Sequence, residues 1–178
     1  DEEERIEEEL RKSTEKLKES LDRMRRDIEK SAEDLRKSVE DVERDMRRLL
    51  EDIEKRDTDE SELRDRIRRA EEDVRRHLRE TRENNERLRE KLEKHVEDTE
   101  RNNERLRREV EKVERNGLDK DALERVRRLL ERHERETRRI NEEIERLIRR
   151  HVEETKRVNK RIKRLLDELK RRIEEKSK

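Results

Sequence analysis

Four histidines are the only side chains in this chain whose ordinary pKa lies near neutrality, and each opens the same polar triplet. His77, Thr81 and Asn85 are repeated as His95, Thr99 and Asn103, again as His133, Thr137 and Asn141, and once more as His151, Thr155 and Asn159. Steps of four keep the three members on one helix face. The two copies in each helix lie 18 residues apart, five turns of an undistorted α-helix, whereas a supercoiled seam repeats about every seven residues. The period predicts nearly straight helices.

Hydrogen bonding is the chemistry this set fits. A neutral imidazole offers one donor and one acceptor, an asparagine side chain offers both kinds, and hydroxyls rotate to suit. An imidazolium has two donors and no acceptor, so charging a ring in a desolvated seam is unfavourable. His77, His95, His133 and His151 are therefore the candidate pH-sensing residues, with folded-state pKa values expected to fall. Thr81, Asn85, Thr99, Asn103, Thr137, Asn141, Thr155 and Asn159 form the candidate network with Ser13, Ser20, Ser31 and Ser38. The plainer alternative is a set of satisfied core polar residues with no switching role.

Each histidine also precedes an acid by three residues: Glu80, Asp98, Glu136 and Glu154. A metal is nevertheless not expected. On facing antiparallel helices the histidines sit about 12 Å apart in height, while zinc needs its ligands within about 2.1 Å of one point. No cofactor is implied. With no cysteine, no glycine-rich phosphate loop and no serine nucleophile motif, an enzyme is not expected either.

The elements that must position these groups are long helices. Of 178 residues, 63% are Asp, Glu, Lys or Arg, with no proline, no aromatic and one glycine, a composition that usually signals disorder. Periodicity overrules it, because the few apolar residues recur at i, i+3, i+4 and i+7 amid strong helix formers. One stripe runs from Ile6 to Ile53 and includes Met24 and Met46 as core; it stops at Arg56. Asp57, Thr58 and Asp59 supply a turn, with Asp59 and Glu62 in capping-box spacing. A second stripe runs from Leu63 to Val113 and ends at Asn116 and Gly117, a helix stop. Asp119 then caps the third helix, with Leu118 placed to staple onto Leu123. Each rod has about 55 residues and spans about 80 Å. The expected fold class is all-α: an antiparallel up-down-up bundle of three long helices over about 3–56, 60–115 and 119–176. A lone amphipathic rod cannot bury its own stripe, so the three should form one domain over 1–178.

Folding the second and third helices back about Leu118 sets partners at equal height. His77 then faces Asn159, Thr81 faces Thr155 and Asn85 faces His151, while His95 faces Asn141, Thr99 faces Thr137 and Asn103 faces His133. Folding the first helix back at 57–59 brings Ser38 to His77, Ser31 to Asn85, Ser20 to His95 and Ser13 to Asn103. Three helices thus complete the layers, with Leu17 or Leu35 between them. A further lane on the third helix (Leu129, Ile140, Leu147, Val158, Leu165) is placed to meet one on the first (Leu21, Ala32, Val39, Leu50). Residues 1–57 carry 22 acids and 16 bases, and residues 117–178 carry 15 and 22, so these helices should attract weakly.

With 56 acids balancing 56 bases overall, no nucleic-acid partner is expected, nor a small-molecule substrate. No apolar run approaches a membrane span and no signal-peptide pattern is present, so the chain is expected to be soluble, its location otherwise open. Self-association as a homodimer or homotrimer, or acceptance of a partner helix, is the alternative function.

Repeated buried polar layers, the absence of aromatics and a surface written in Glu, Arg and Lys resemble de novo designed helical bundles with buried hydrogen-bond networks. The likeness is most specific at His77–Asn103 and His133–Asn159, where it is to the pH-responsive, buried-histidine members. It implies a synthetic protein in which acid protonates the histidines and the bundle or oligomer comes apart, sometimes perturbing membranes. The chain differs from the two-helix subunit usual there by carrying its first helix.

Overall fold

The computed structural model describes residues 1–55 and 57–178; the expected stop at Arg56 lies outside them. It is an all-α three-helix bundle of α1 (Glu2–Glu54), α2 (Glu60–Arg115) and α3 (Lys120–Ser177). Asp1 caps α1, accepting from Glu3 N through Oδ1 and from Arg5 N through its carbonyl. Asp59 Oδ1 accepts from Ser61 N at 3.0 Å to start α2. The last turn of α1 has no basic residue of its own. Lys176 of α3 supplies that charge, donating to the carbonyls of Ile53 and Lys55 at 2.8 and 2.6 Å and so opposing the negative end of the helix dipole.

The stop after α2 is a Schellman turn: Leu118 N donates to Val113 O and Gly117 N to Glu114 O. Gly117 sits at φ 85°, and a Cβ built there would meet nothing within 4 Å, so only the left-handed backbone resists a side chain. Gly117→Ala should therefore lower stability by about 1–2 kcal/mol, read as a lower denaturation midpoint with unchanged slope. Leu118 and Leu123 pack on the same apolar cluster, as the staple requires.

Packing divides the chain into two compact units, Asp1–Ile28 with Leu88–Ile148, and Glu29–Arg87 with Arg149–Lys178. Each contains a piece of every helix. In the first, Arg5 pairs with Glu109 and Lys91 with Asp27, setting α1 antiparallel to α2. Arg127–Glu114 and Arg107–Glu134 do the same for α2 and α3, while Arg125–Glu3 and Arg25–Glu143 run α1 parallel to α3. In the second, Arg66–Asp52, Lys170–Glu71 and Arg172–Glu54 repeat that up-down-up order. Basic residues of α3 meet acids of α1 in Arg125–Glu3, Arg161–Glu43 and Arg172–Glu54, as the opposite charge balances predict.

The apolar stripes are buried where the spacing puts them. The second unit's core joins Val39, Met46 and Ile53 of α1, Leu63 and Val74 of α2, and Val158, Ile162 and Leu169 of α3, with Leu50 and Leu165 packed against it. The two extra lanes meet there. Ala32 is the exception and is exposed. In the first unit Ile6, Leu10, Leu106, Val110, Val113, Val126 and Leu130 form the corresponding cluster, and Met24 is buried.

Candidate functional site

The polar layers interrupt these cores, and their bonds constrain which groups donate. At His77, 2% exposed, the order of donation follows from the backbone outward. Thr81 Oγ1 spends its proton on Leu78 O at 3.1 Å. It must therefore accept from Asn159 Nδ2 at 3.1 Å, which turns Asn159 Oδ1 towards the ring. His77 Nε2–H donates to that oxygen at 2.8 Å, and Nδ1 stands 2.6 Å from Ser38 Oγ, whose hydroxyl proton it accepts when the ring is neutral. Both nitrogens are satisfied by the partners expected from sequence, and the neutral imidazole fits them with Ser38 as donor. Burial pushes its pKa below the usual value of about 6.5, against smaller upward contributions from the Asn159 bond and the Glu80 charge.

No family model matches this chain, and no curated protein does. Among solved structures it is similar to one described as "Computationally designed three helix bundle", at 14% identity and a TM-score of 0.47, over 98% of this chain and 82% of that one.

The copy of this layer in the first unit, 18 residues away, uses the same letters differently. Thr99 Oγ1 donates to Val96 O at 3.0 Å and accepts from Asn141 Nδ2 at 3.0 Å, so Asn141 Oδ1 again faces the ring. Here it meets Nδ1 of His95, at 2.7 Å. The ring is turned over relative to His77, and its Nε2 is buried without a partner. Ser20, expected at His95, instead accepts from Arg23 at 3.3 Å. His95 itself is half-buried.

The other two layers depart further from the expected pairs. His133, 2% exposed, bonds through Nε2 to Ser13 Oγ at 2.7 Å, and Ser13 accepts from Asn102 Nδ2 at 2.6 Å. Nδ1 of His133 is buried without a partner. Asn103, expected opposite this ring, instead has its Oδ1 3.4 Å from Thr137 Oγ1, a long contact because the one Thr137 proton goes to His133 O at 2.9 Å. In the second unit Ser31 donates to Asn84 Oδ1 at 3.4 Å, not to Asn85. Asn85 Oδ1 is buried and unpartnered, so it does not accept from His151 as the register predicts. The facing threonines do not bond to each other either: Thr137 and Thr155 donate to the carbonyls of His133 and His151, both at 2.9 Å.

Asn84 and Asn102 were not among the expected network residues. Each stands beside a triplet asparagine, one step or about 100° round the helix, which turns it towards α1 while Asn85 and Asn103 turn towards α3. The signal was the doublet itself, Asn84-Asn85 and Asn102-Asn103, repeating with the same 18-residue period. Glu43 was missed too; only 8% exposed, it accepts from Arg161 at 2.5 Å and from Arg47 at 3.3 Å. One period earlier on both helices the pair recurs with its charges exchanged, as Arg25 and Glu143.

Burial pushes the pKa of His133 and His151 down as it does for His77, with the nearby charges of Glu134 and Glu154 opposing. Among the described residues no group of three or more His, Asp or Glu is placed to hold a metal, and no helix is long and apolar enough to cross a membrane. Glu136, one of the acids considered as a ligand, is held by Arg139 at 2.6 Å, and that bond keeps its pKa low.

Proposed function

We propose that this chain is a de novo designed, non-enzymatic helical scaffold whose buried histidine networks make its stability fall with acidity. The observation that carries the reading is His77. Its ring is closed on both sides by Ser38 and Asn159 in a pattern written for one ring proton. A second proton would need Ser38 to turn from donor to acceptor and would place a charge where almost no solvent reaches. Design accounts for an 18-residue repeat of a polar triplet kept in four copies, with no proline, cysteine or aromatic anywhere.

The three helices act as one domain in this reading, because each runs through both units and neither unit has a helix of its own. A self-contained monomer is favoured over an assembling module, since no large apolar side chain is exposed among the described residues and an obligate interface is apolar at its centre. Mass measurement at pH 7.5 and pH 4.5, together with far-ultraviolet circular dichroism and urea titrations, tests these points. The expected result is a monomer at both, with one cooperative unfolding transition at pH 7.5 and reduced stability at pH 4.5. A dimer or trimer that dissociates in acid would make self-assembly the function instead. Stability independent of pH would leave the networks as specificity devices alone.

A further inference from the structure

We propose that the groove between α1 and α2 in the first unit binds a small amphiphilic carboxylic acid, anchored at His95 Nε2. The groove has a volume of about 690 Å³, within the range of roughly 300–1,000 Å³ usual for small-molecule sites. The second unit offers no counterpart of that size at the repeated position, where a groove of about 240 Å³ lies beside Ser38 and Thr81.

Three observations set the ligand's chemistry. The first is the ring nitrogen. Thr99 and Asn141 oblige His95 to carry a proton on Nδ1, and Nε2 is buried with no partner, so in the neutral ring it is a lone pair without a donor. At His77 the equivalent position is filled by Ser38; at His95, Ser20 lines the groove and accepts from Arg23 at 3.3 Å, with no bond to the ring. The unpartnered nitrogen suits a ligand that arrives with a proton.

The second is charge. Lys12, Lys16 and Lys94 line the groove and have no ion-pair partner among the described residues, against the unpaired carboxylate of Asp98; Glu9 and Arg105, also in the lining, face each other at 4.0 Å, with Glu9 Oε2 buried and unpartnered. Lys91 and Asp27 neutralise each other at 3.0 Å, Arg23 adds a further cation from α1, and the α3 residue bonded to the ring is the neutral Asn141. An anion is favoured. The third is the floor, where Leu17 and Met24 supply apolar surface for a short aliphatic tail. An acid group meeting a bare imidazole satisfies all three: a carboxylate and one solvent proton enter together, the proton lying between the carboxylate oxygen and Nε2. No covalent bond forms or breaks.

Sodium octanoate is the probe, titrated calorimetrically into the full chain at pH 7.5 in two buffers of different ionisation enthalpy. The expected result is saturable one-to-one binding that takes up close to one proton per octanoate and weakens as salt is raised to about 0.5 M. His95→Leu should weaken it at least ten-fold and abolish the proton uptake, while His77→Leu leaves both unchanged. If His95→Leu proves poorly folded by circular dichroism, His95→Gln gives the second arm, with the proton uptake expected to vanish. Absence of saturable binding at millimolar octanoate overturns the proposal, because water alone would then fill the groove. Binding without proton uptake, or binding equal in His95→Leu, also overturns it, since exposed lysines alone would account for either. The acid-response reading stands or falls separately, as it rests on His77, His133 and His151.

Discussion

Lowering the pH from 7 to 5 should remove several kcal/mol of folding stability. His77, His133 and His151 are 2–6% exposed, and burial is the main cause lowering each pKa. For a group whose folded pKa is depressed, the unfolded chain binds more protons as acid is added. The stabilising contribution is therefore complete above the unfolded value of about 6.5 and declines as pH falls through it towards the folded value. If burial excluded the charged ring altogether, each histidine would cost about 2 kcal/mol between these pH values, a ceiling of about 6 for three. Glu80, Glu134 and Glu154 each stabilise the imidazolium form and bring the loss below that ceiling. Carboxylates do not confuse this window. Glu3, Asp52, Glu60 and Glu136 have lowered pKa values, so their contributions persist at pH 5 and fade only in stronger acid. The measurement is a urea midpoint at pH 7, 6 and 5 for the parent and for a His77→Leu, His133→Leu, His151→Leu triple variant. The parent midpoint should drop steadily while the variant's stays level. Equal pH dependence in both would remove the histidines from the account.

What could be read from the letters was the register. Helix positions are fixed by periods, and the short connections at 57–59 and 116–119 leave little slack, so His77–Asn159 and His95–Asn141 formed as the antiparallel count placed them. What could not be read was the choice among neighbours once several polar groups share a layer. Ser13 and Ser31 had two asparagines each within one step on α2, and side-chain direction decided for Asn102 and Asn84. Nor could a letter say which ring face would turn towards which helix. His77 and His95 sit in identical triplets and make the same Asn–Thr chain through opposite nitrogens. A 180° ring flip changes no spacing, so no periodic argument detects it. Glu43 escaped for a related reason, since a carboxylate at the edge of a stripe looks solvated until Arg161 and Arg47 cover it.

Asn159→Leu should destabilise the second unit's layer by about 2–3 kcal/mol, although leucine suits a helical core better than asparagine does. The substitution strips the acceptor from His77 Nε2–H and the donor from Thr81 Oγ1. Leaving a buried donor unpaired costs about 1–3 kcal/mol, and at His77 little solvent is available to take the place of the lost oxygen. Thr81 loses less, because its own proton remains on Leu78 O. The companion change His77→Leu alone should be milder. It frees Ser38, which is half-buried and can turn to water, and Asn159 Oδ1, while Asn159 Nδ2 keeps its bond to Thr81. Combining the two should recover most of the loss, since replacing both partners by apolar groups removes the unmatched donor along with its missing acceptor. The double-mutant cycle, measured by urea denaturation at pH 7, should give a coupling energy of about 1–3 kcal/mol between the positions. Losses that simply add would mean that the ring and the amide do not depend on each other. The pH dependence of the two single variants supplies an independent check. With its acceptor gone but its burial unchanged, the ring in Asn159→Leu loses a contribution that had raised its pKa, so its share of the acid response should persist, whereas in His77→Leu that share disappears.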